Sequence, residues 1–133
     1  MKDEKKVMQT EELLSRYAAG QRDFRELKLI AANLRSVNLS GANLSGANLT
    51  KANLTKANLS RANLTGATLT GAKLTETNLA EANLTNANLS DTDLSHVNLN
   101  LTYLHGAIMP DGVSPSSLSK HLKSSLNQEQ IAY

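Results

Sequence analysis

The sequence contains no cysteine and no tryptophan, and aromatic residues make up only 3% of its 133 positions. Without cysteine the chain can form neither a disulfide framework nor a thiolate metal site, so nothing in it depends on an oxidising compartment. With one Phe and three Tyr, large rings cannot fill the interior. Leucine and alanine must supply the core instead, which favours a narrow and regular one.

Long apolar runs are also missing. No segment approaches the ~20 apolar residues that are needed to cross a bilayer. The first residues carry charges of both signs and lack the apolar stretch of a signal peptide. The net charge of +2 is too small for a nucleic-acid-binding surface. The composition therefore predicts a cytoplasmic protein that contacts neither membrane nor nucleic acid.

The sequence does contain one five-residue phrase that is repeated almost without interruption. Steps of five from Phe24 to Met109 give 18 consecutive quintets over residues 22–111, and Leu is the central residue of 16 of them. Ala stands two positions before the centre in 11 quintets, and Asn stands one position before it in 11. Ser or Thr usually follows the centre, and the fifth position varies.

A period of five fits neither common secondary structure. On a helix successive leucines would be offset by ~140° and would spread around the axis. On a flat strand an odd period would send them to opposite faces. A chain that turns a corner at every quintet can point all central residues at one axis, and Gly and Asn tolerate such turns. We therefore predict that the central residues form the core, including Phe24, Leu34, Leu44, Leu54, Leu64, Leu74, Leu84, Leu94, Leu104 and Met109.

The phrase Ala-Asn-Leu-(Ser/Thr)-x resembles the consensus of the pentapeptide-repeat family, and the segment before it resembles the lead-in of short cyanobacterial members. The resemblance implies an all-β solenoid, a right-handed quadrilateral β-helix with four quintets per coil and about 4.5 coils here. Residues 20 apart would then stack at ~4.8 Å. This register pairs charges of opposite sign, namely Lys56 with Glu76, Arg61 with Glu81, and Lys73 with Asp93.

The flanks of the repeat predict caps. We expect residues 1–21 to form a tail and a capping helix, residues 22–111 the β-helix, and residues 112–133 a C-terminal capping helix and tail. Thr10 has the residue type of an N-cap for a helix that begins at Glu11. At the other end a leucine stripe at four-residue spacing is predicted to cover the last coil and to dock on outward apolar residues. The stripe is Leu118, Leu122 and Leu126, and the docking residues are Leu101, Tyr103 and Ile108.

Catalysis has little support in the sequence. In the coil arrangement His96 and His105 lie on opposite faces, so they cannot share a metal ion, for which three or four convergent ligands are needed. The serines and threonines have no base beside them, and no glycine-rich phosphate loop precedes a helix. An interior filled by Leu and Ala leaves no pocket for a ligand. We expect no enzymatic activity, no cofactor and no bound metal.

Binding to another protein is the function that the sequence favours. Some members of the family bind DNA gyrase and are acidic, which has been attributed to mimicry of DNA. Residues 22–111 carry eight basic and seven acidic residues here, and this balance argues against such a role. Quintets 32–71 are basic and quintets 72–111 are acidic. This asymmetry is typical of ordinary solubilising charge. Its functional interpretation is an oriented docking surface, Arg35, Lys51, Lys56 and Arg61, for an unidentified protein partner or for head-to-tail self-association.

Two questions stay open at this stage. A monomer is expected, with a dimer as the alternative. A different function is also compatible with the repeat, because regular hydroxyl columns on a β-solenoid can bind ice. The columns in question are Thr50, Thr70 and Ser90, and Thr55, Thr75 and Ser95.

Overall fold

The computed structural model describes residues 8–114. It begins with helix α1, Thr10–Ala18. Glu11 and Glu12 lie in the first turn and Arg16 in the last, so all three charges suit the helix dipole. The N-cap is the extended residue Gln9, which makes no side-chain capping hydrogen bond. The prediction that Thr10 caps the helix is therefore wrong.

The chain that precedes the helix is anchored to the repeat. The Met8 N–H donates to the Lys28 carbonyl at 3.0 Å, which ties the extended chain to the first coil of the repeat. The helix begins two residues beyond this anchor, at Thr10. Its single fully buried residue, Leu13, belongs to the same apolar cluster as the leucines of the repeat. Helix α1 therefore packs directly on the solenoid.

The repeat folds into a solenoid whose coils stack in a register of 20 residues. Isolated parallel bridges join residues 20 apart, from Asp23 with Asn43 to Asn88 with Ile108, and a turn follows every quintet centre. One coil thus contains four quintets, each forming one side. Each side pairs through a single residue before the chain turns, so residues 8–114 contain bridges and no extended strands.

We name the four sides by their central residues. Face A is centred on Phe24, Leu44, Leu64, Leu84 and Leu104. Face B is centred on Leu29, Leu49, Leu69, Leu89 and Met109. Face C is centred on Leu34, Leu54, Leu74 and Leu94, and face D on Leu39, Leu59, Leu79 and Leu99. The fifth residue of each quintet lies at the corner that leads to the next face.

Backbone hydrogen bonds connect each quintet to both neighbouring coils. The Leu64 N–H donates to the Asn83 carbonyl at 2.7 Å, in the following coil, and the Asn63 N–H donates to the Ala42 carbonyl at 2.9 Å, in the preceding one. The Ala67 N–H closes the local turn on the Leu64 carbonyl at 3.0 Å. These quintets are thus satisfied from coil to coil, although residues 8–114 contain no extended strands.

The interior consists of the central residue and the residue two positions before it. Leu64 is 0% exposed and Ala62 is 1% exposed. Of the predicted core residues, Phe24 and the leucines up to Leu104 are at most 4% exposed. Met109 differs, because it is only partly buried at the end of the described repeat.

Two threonines replace alanine inside the solenoid without leaving a polar group unpaired. The Thr77 hydroxyl donates to the Leu54 carbonyl at 2.8 Å, and the Thr102 hydroxyl donates to the Leu79 carbonyl at 2.7 Å. Both residues are 0% exposed. A buried hydroxyl is tolerated here because each coil offers a carbonyl within reach of the next one.

The corners require left-handed backbone conformation. Eleven residues other than glycine have positive φ, and all occupy the fifth position of a quintet, such as Ala31 at 58° and Lys56 at 61°. This conformation costs a residue with a Cβ about 1–2 kcal/mol. Glycine avoids most of that cost, as at Gly66 with a φ of 68°. The sequence can therefore vary at the corners, at a price in stability.

The regular register fails at one place on face C, in residues 91–96. No bridge joins Lys73 to Asp93, and the Glu76 N–H donates to the His96 carbonyl at 2.9 Å, one residue beyond the position that the register requires. Thr92 stands where alanine is usual, and its hydroxyl donates to the Leu89 carbonyl at 2.7 Å within its own turn. The coil is distorted at this side only, since the bridges continue on the other faces.

Candidate functional site

The outer surface is the candidate site, and asparagine organises it. The Asn58 Oδ1 accepts the Ser60 N–H at 3.0 Å and the Ser60 hydroxyl at 2.7 Å, which closes the corner from outside. Both bonds recur at other quintets with Asn or Asp before the centre, which are those of Asn48, Asn53, Asn83, Asn88 and Asp93. The consensus Asn and Ser/Thr are thus explained by turn formation.

The predicted hydroxyl columns take part in these turns. Thr70 and Ser90 stack on face B with their hydroxyl oxygens 3.2 Å apart. The hydroxyls of Thr50 and Ser90 also donate to asparagine in their own quintets. The second column, on face C, ends at Ser95, which lies within the distorted segment 91–96. Four of the six hydroxyl residues thus make turn bonds, namely Thr50, Ser90, Thr55 and Ser95.

The four predicted interaction residues do not share one face. Lys51, Lys56 and Arg61 occupy three successive corners, B–C, C–D and D–A, and Arg35 lies on face C one coil earlier. All four are exposed. Arg35, Lys51 and Lys56 therefore border face C, whereas Arg61 lies on the far side of face D.

Only one of the three predicted ion pairs is present. The Arg61 Nε lies 3.1 Å from the Glu81 Oε1, 20 residues on. Among residues 8–114, Lys56 with Glu76 and Lys73 with Asp93 form no ion pair, so these two predictions are wrong. The distortion of face C removes the register between Lys73 and Asp93. An exposed Lys56 ammonium gains only ~0–1 kcal/mol from such a pair.

Local contacts lower the pKa of two carboxylates. The pKa of Asp23 is lowered, mainly by hydrogen bonds from the Arg25 side chain, whose nitrogens lie 2.8 Å from the carboxylate oxygens. The pKa of Asp93 is lowered, mainly by the Ser95 hydroxyl at 2.7 Å. Asp23, Arg25 and Glu26 line an open polar depression. Within that depression Asp23 and Arg25 form an ion pair, with the Arg25 Nε 2.8 Å from the Asp23 Oδ1.

The charged residues are confined to one side of the solenoid's circumference, a pattern that was not predicted from the sequence. From the second coil on, faces A and B and the corner between them carry no Lys, Arg, Asp or Glu. We call this the uncharged side, residues 42–50, 62–70, 82–90 and 102–110. We call the rest of the circumference the charged side. It carries all the Lys, Arg, Asp and Glu residues of 42–111, which are Lys51, Lys56, Arg61, Lys73, Glu76, Glu81, Asp91, Asp93 and Asp111. Writing the sequence in rows of 20 would have revealed the pattern.

Two of the four exposed large apolar residues among residues 8–114 lie on the uncharged side. Tyr103 is 53% exposed and Ile108 is 56% exposed, and both lie on the uncharged side in the last coil. Leu101 is 40% exposed at the corner that borders it. Ile30 is 40% exposed on face B, in the coil before the uncharged side begins.

The described part of the chain offers no convergent set of metal ligands. Residues 8–114 contain no group of three or more His, Asp or Glu side chains that could hold a metal ion. His96 lies at the C–D corner and His105 on face A, which are separate parts of the circumference. Within the same residues, no helix has the length and apolar character needed to span a membrane.

Comparison with known proteins identifies the repeat. The family model for pentapeptide repeats, which contains eight copies, matches residues 28–66 and 62–100. No curated protein matches the chain. Among solved structures the chain is similar to Rfr23, a pentapeptide repeat protein from the cyanobacterium Cyanothece 51142, at 42% identity and a TM-score of 0.65, over 68% of this chain and 60% of that one.

Two proteins of the cyanobacterium Nostoc are also similar. HetL, a pentapeptide repeat protein involved in heterocyst differentiation regulation, is 38% identical over 75% of this chain and 46% of its own, with a TM-score of 0.38. Another pentapeptide repeat protein is 31% identical over 91% of this chain and 96% of its own, with a TM-score of 0.37. The chain thus spans less than two thirds of the length of Rfr23 and of HetL.

Proposed function

The chain belongs to the pentapeptide-repeat family, and we propose that it is a non-enzymatic scaffold that works through contacts with another protein in the cytoplasm. Its relatives imply a right-handed β-helix. We extend this to about 4.5 coils, closed at both ends by the flanking segments. Residues 8–18 support the N-terminal closure, because Met8 and Tyr17 both hydrogen-bond to carbonyls of the first coil.

The observation that carries the proposal is the division between interior and surface. The interior of residues 8–114 is filled mainly by Leu and Ala, and its two buried hydroxyls, of Thr77 and Thr102, are bonded to carbonyls, so it offers no ionisable or unpaired side chain for chemistry. The outward positions include corners that accept Lys, Arg, Glu, Asp, Asn, Ser and Ala on an unchanged backbone. A rigid surface with variable charged positions is suited to recognition of a protein partner.

The charged side gives that recognition a direction. Between residues 32 and 71 it carries four basic residues and no acid, and between residues 72 and 111 it carries one basic residue and five acids. A partner with the opposite order of charge would be steered into one orientation along the axis. We therefore propose that the charged side, including Lys51, Lys56 and Arg61, is the contact surface.

Affinity capture from cells that express the chain tests this proposal. The bait is either the natural chain or a variant with Lys51→Glu, Lys56→Glu and Arg61→Glu. A matched control changes the opposite side, with Gly66→Asn and Asn86→Gly, which both keep a residue that tolerates the corner conformation. Melting curves verify that all three baits are folded.

We expect one set of proteins to bind the natural chain and the control, to be lost with the charge-reversed variant, and to elute as salt is raised. Equal recovery with the charge-reversed variant would refute the assigned surface. If the natural chain captures nothing beyond empty beads, the scaffold proposal fails.

A further inference from the structure

Face B departs from the repeat at positions that are symmetric about its middle coil. We number its quintets as rungs one to five, from residues 27–31 to residues 107–111. Its exposed large apolar residues are Ile30 in the first rung and Ile108 in the fifth, at 40% and 56% exposure. In the third rung Thr68 stands in a column that otherwise has asparagine in the two adjacent rungs. The face is thus apolar at both ends and has short side chains in the middle.

The threonine in the middle rung does not serve its own turn. In the second rung the Asn48 Oδ1 accepts the Thr50 N–H at 3.1 Å, which closes the corner. The Thr68 side chain is shorter, and among residues 8–114 no hydrogen bond joins it to the Thr70 N–H. Turn formation therefore does not explain Thr68, whereas a short side chain lets an opposing surface approach the backbone closely.

The corner between faces B and C carries opposite charges at equal distances from the same middle rung. Lys51 occupies this corner in the second rung and Asp91 in the fourth, and both are exposed. Neither forms an ion pair within residues 8–114. Gly71 lies between them, at the corner of the third rung. A surface with this order of charge is complementary to itself when it is turned end for end.

We propose that face B binds face B of a second copy of the chain, with the two solenoid axes antiparallel. A two-fold axis then passes through the third rung, and each rung lies opposite the one at the same distance beyond the middle. Lys51 faces the second copy's Asp91, and Ile30 lies beside the second copy's Ile108. Thr70 lies next to the two-fold axis and faces its own equivalent.

Charge selects the antiparallel arrangement over a parallel one. In the antiparallel dimer the other charges of the face and its corners, Glu26, Lys28 and Asp111, lie opposite uncharged residues, so no like charges meet. In a parallel dimer Lys51 would face Gly46 of the second copy, and its charge would have no counterpart. Complementary charges of this kind fix the orientation of a complex more than they add to its affinity.

The contact is small, and its size sets its strength. Five rungs, separated by four spacings of about 4.8 Å, span about 19 Å. Three outward positions give a width of about 10 Å. An area of the order of 200 Å² per copy is well below the ~800 Å² of a standard interface, so the dimer is weak and reversible. We expect a dissociation constant of the order of 0.1–1 mM.

The dimer leaves the other predicted contacts available. Faces C and D point away from it, so it does not depend on the partner of the charged side. Lys51, at the shared corner, is the residue named for both surfaces. Of the three residues predicted to receive the C-terminal stripe, Ile108 belongs to face B, and Leu101 and Tyr103 remain available to the stripe.

Cross-linking of single cysteines in the purified full-length chain tests the contact, because the natural sequence has no cysteine. Thr70→Cys places one thiol beside the proposed two-fold axis. The matched control is Thr65→Cys, which has the same quintet position in the same coil, on face A, and is also half-buried. Packed sheets lie about 10 Å apart, too far for a disulfide, so a short bismaleimide joins the thiols. Denaturing electrophoresis follows covalent dimers at a protein concentration near the expected dissociation constant.

We expect Thr70→Cys to form covalent dimers about ten times faster than Thr65→Cys, because the complex holds its two thiols together. Equal rates would overturn the proposal, and they are also the result expected if the ends of the chain cover face B. The experiment contains no other protein, so its failure would leave the capture experiment on the charged side unaffected.

An exchange of charge between the two corner positions tests the orientation. In the Thr70→Cys chain, Lys51→Asp places carboxylates opposite each other and should slow cross-linking about threefold. Adding Asp91→Lys to the same chain restores opposite charges and should restore the rate. Lys51 and Asp91 have φ of 59° and 60°, so each substitution introduces a residue type that this corner already accepts, and melting curves verify folding. Fast cross-linking that ignores Lys51→Asp, or a rate that the exchange does not restore, would contradict the antiparallel arrangement.

Discussion

The Tyr17 hydroxyl donates to the Ser40 carbonyl at 2.7 Å, although 23 residues separate them. In later coils the equivalent carbonyl accepts a backbone N–H, as the Ser60 carbonyl accepts that of Gly41 at 2.9 Å. The side chain of helix α1 thus takes the place of a missing coil. The Arg22 guanidinium lies 3.6 Å from the centroid of the Tyr17 ring and donates to the Tyr17 carbonyl at 2.9 Å, which holds the ring in place.

Removing this hydroxyl should weaken the N-terminal end. Tyr17→Phe keeps the ring under Arg22 but leaves the Ser40 carbonyl without its donor, which should lower the free energy of unfolding by about 1 kcal/mol. Tyr103→Phe is the matched control, because the Tyr103 side chain is more than half exposed. Chemical denaturation measures both. Equal stability of the two variants would show that the contact does not stabilise the end.

Alanine-to-glycine substitutions should have opposite effects at two exposed positions. Ala31 lies at a corner with a φ of 58°, so Ala31→Gly should relieve strain and stabilise the chain by up to about 1 kcal/mol. Ala18 ends helix α1, and Ala18→Gly should destabilise by roughly 0.5–1 kcal/mol. Thermal unfolding of both variants gives the sign of each change in stability. A loss of stability for Ala31→Gly as large as that for Ala18→Gly would argue against strained backbone at the corners.

Much of the fold could be predicted from the sequence because its period is unusual. Sixteen central leucines at a spacing of five have few ways to share one interior, and Leu64 is buried as expected. The Arg61–Glu81 pair follows from the 20-residue stacking. The corner conformation also agrees with the Gly found at positions such as 66.

Other features depended on contacts that no local pattern reveals. Met8 is anchored by a hydrogen bond to Lys28 of the first coil, and the role of Tyr17 follows from its proximity in space to Ser40. The distortion of face C coincides with Thr92, whose hydroxyl donates to the Leu89 carbonyl within its own turn. The predicted cap residues Leu118, Leu122 and Leu126 lie outside the described residues.

Acid should destabilise the chain partly through Asp93. Its folded-state pKa lies below the ordinary value of 3.8, because the Ser95 hydroxyl and N–H stabilise the charged form. Its contribution is therefore present above that value and is lost as the pH falls through the folded-state pKa. Asp93→Asn keeps the turn acceptor and should reduce the loss of stability between pH 5 and about pH 2.

The reciprocal change provides the control for the effect of acid. Asn83 makes the same two turn bonds, from the Thr85 N–H and hydroxyl. Asn83→Asp should therefore leave stability near pH 7 almost unchanged and make it more sensitive to acid. If the pH dependence of unfolding is the same for the natural chain and both variants, the turn carboxylate does not contribute.

Stability should not depend on divalent metal ions. No three potential ligands converge within residues 8–114, and the interior that carries the fold is apolar. A melting curve recorded with excess EDTA should overlay one recorded without it. A stoichiometric metal ion bound with submicromolar affinity, measured by calorimetric titration, would contradict this expectation.

The direction of side chains in the repeat is the claim on which the surface assignments depend, and one pair of neighbouring substitutions tests it. Leu64→Asp would bury an unpaired carboxylate among leucines and should abolish folding. Asn63→Asp places the same group one residue earlier, outside, where Asp93 already closes a turn in the same way. Circular dichroism during thermal unfolding should show a cooperative transition near that of the natural chain for Asn63→Asp and none for Leu64→Asp. Similar melting temperatures for the two variants would contradict the inward leucine ladder.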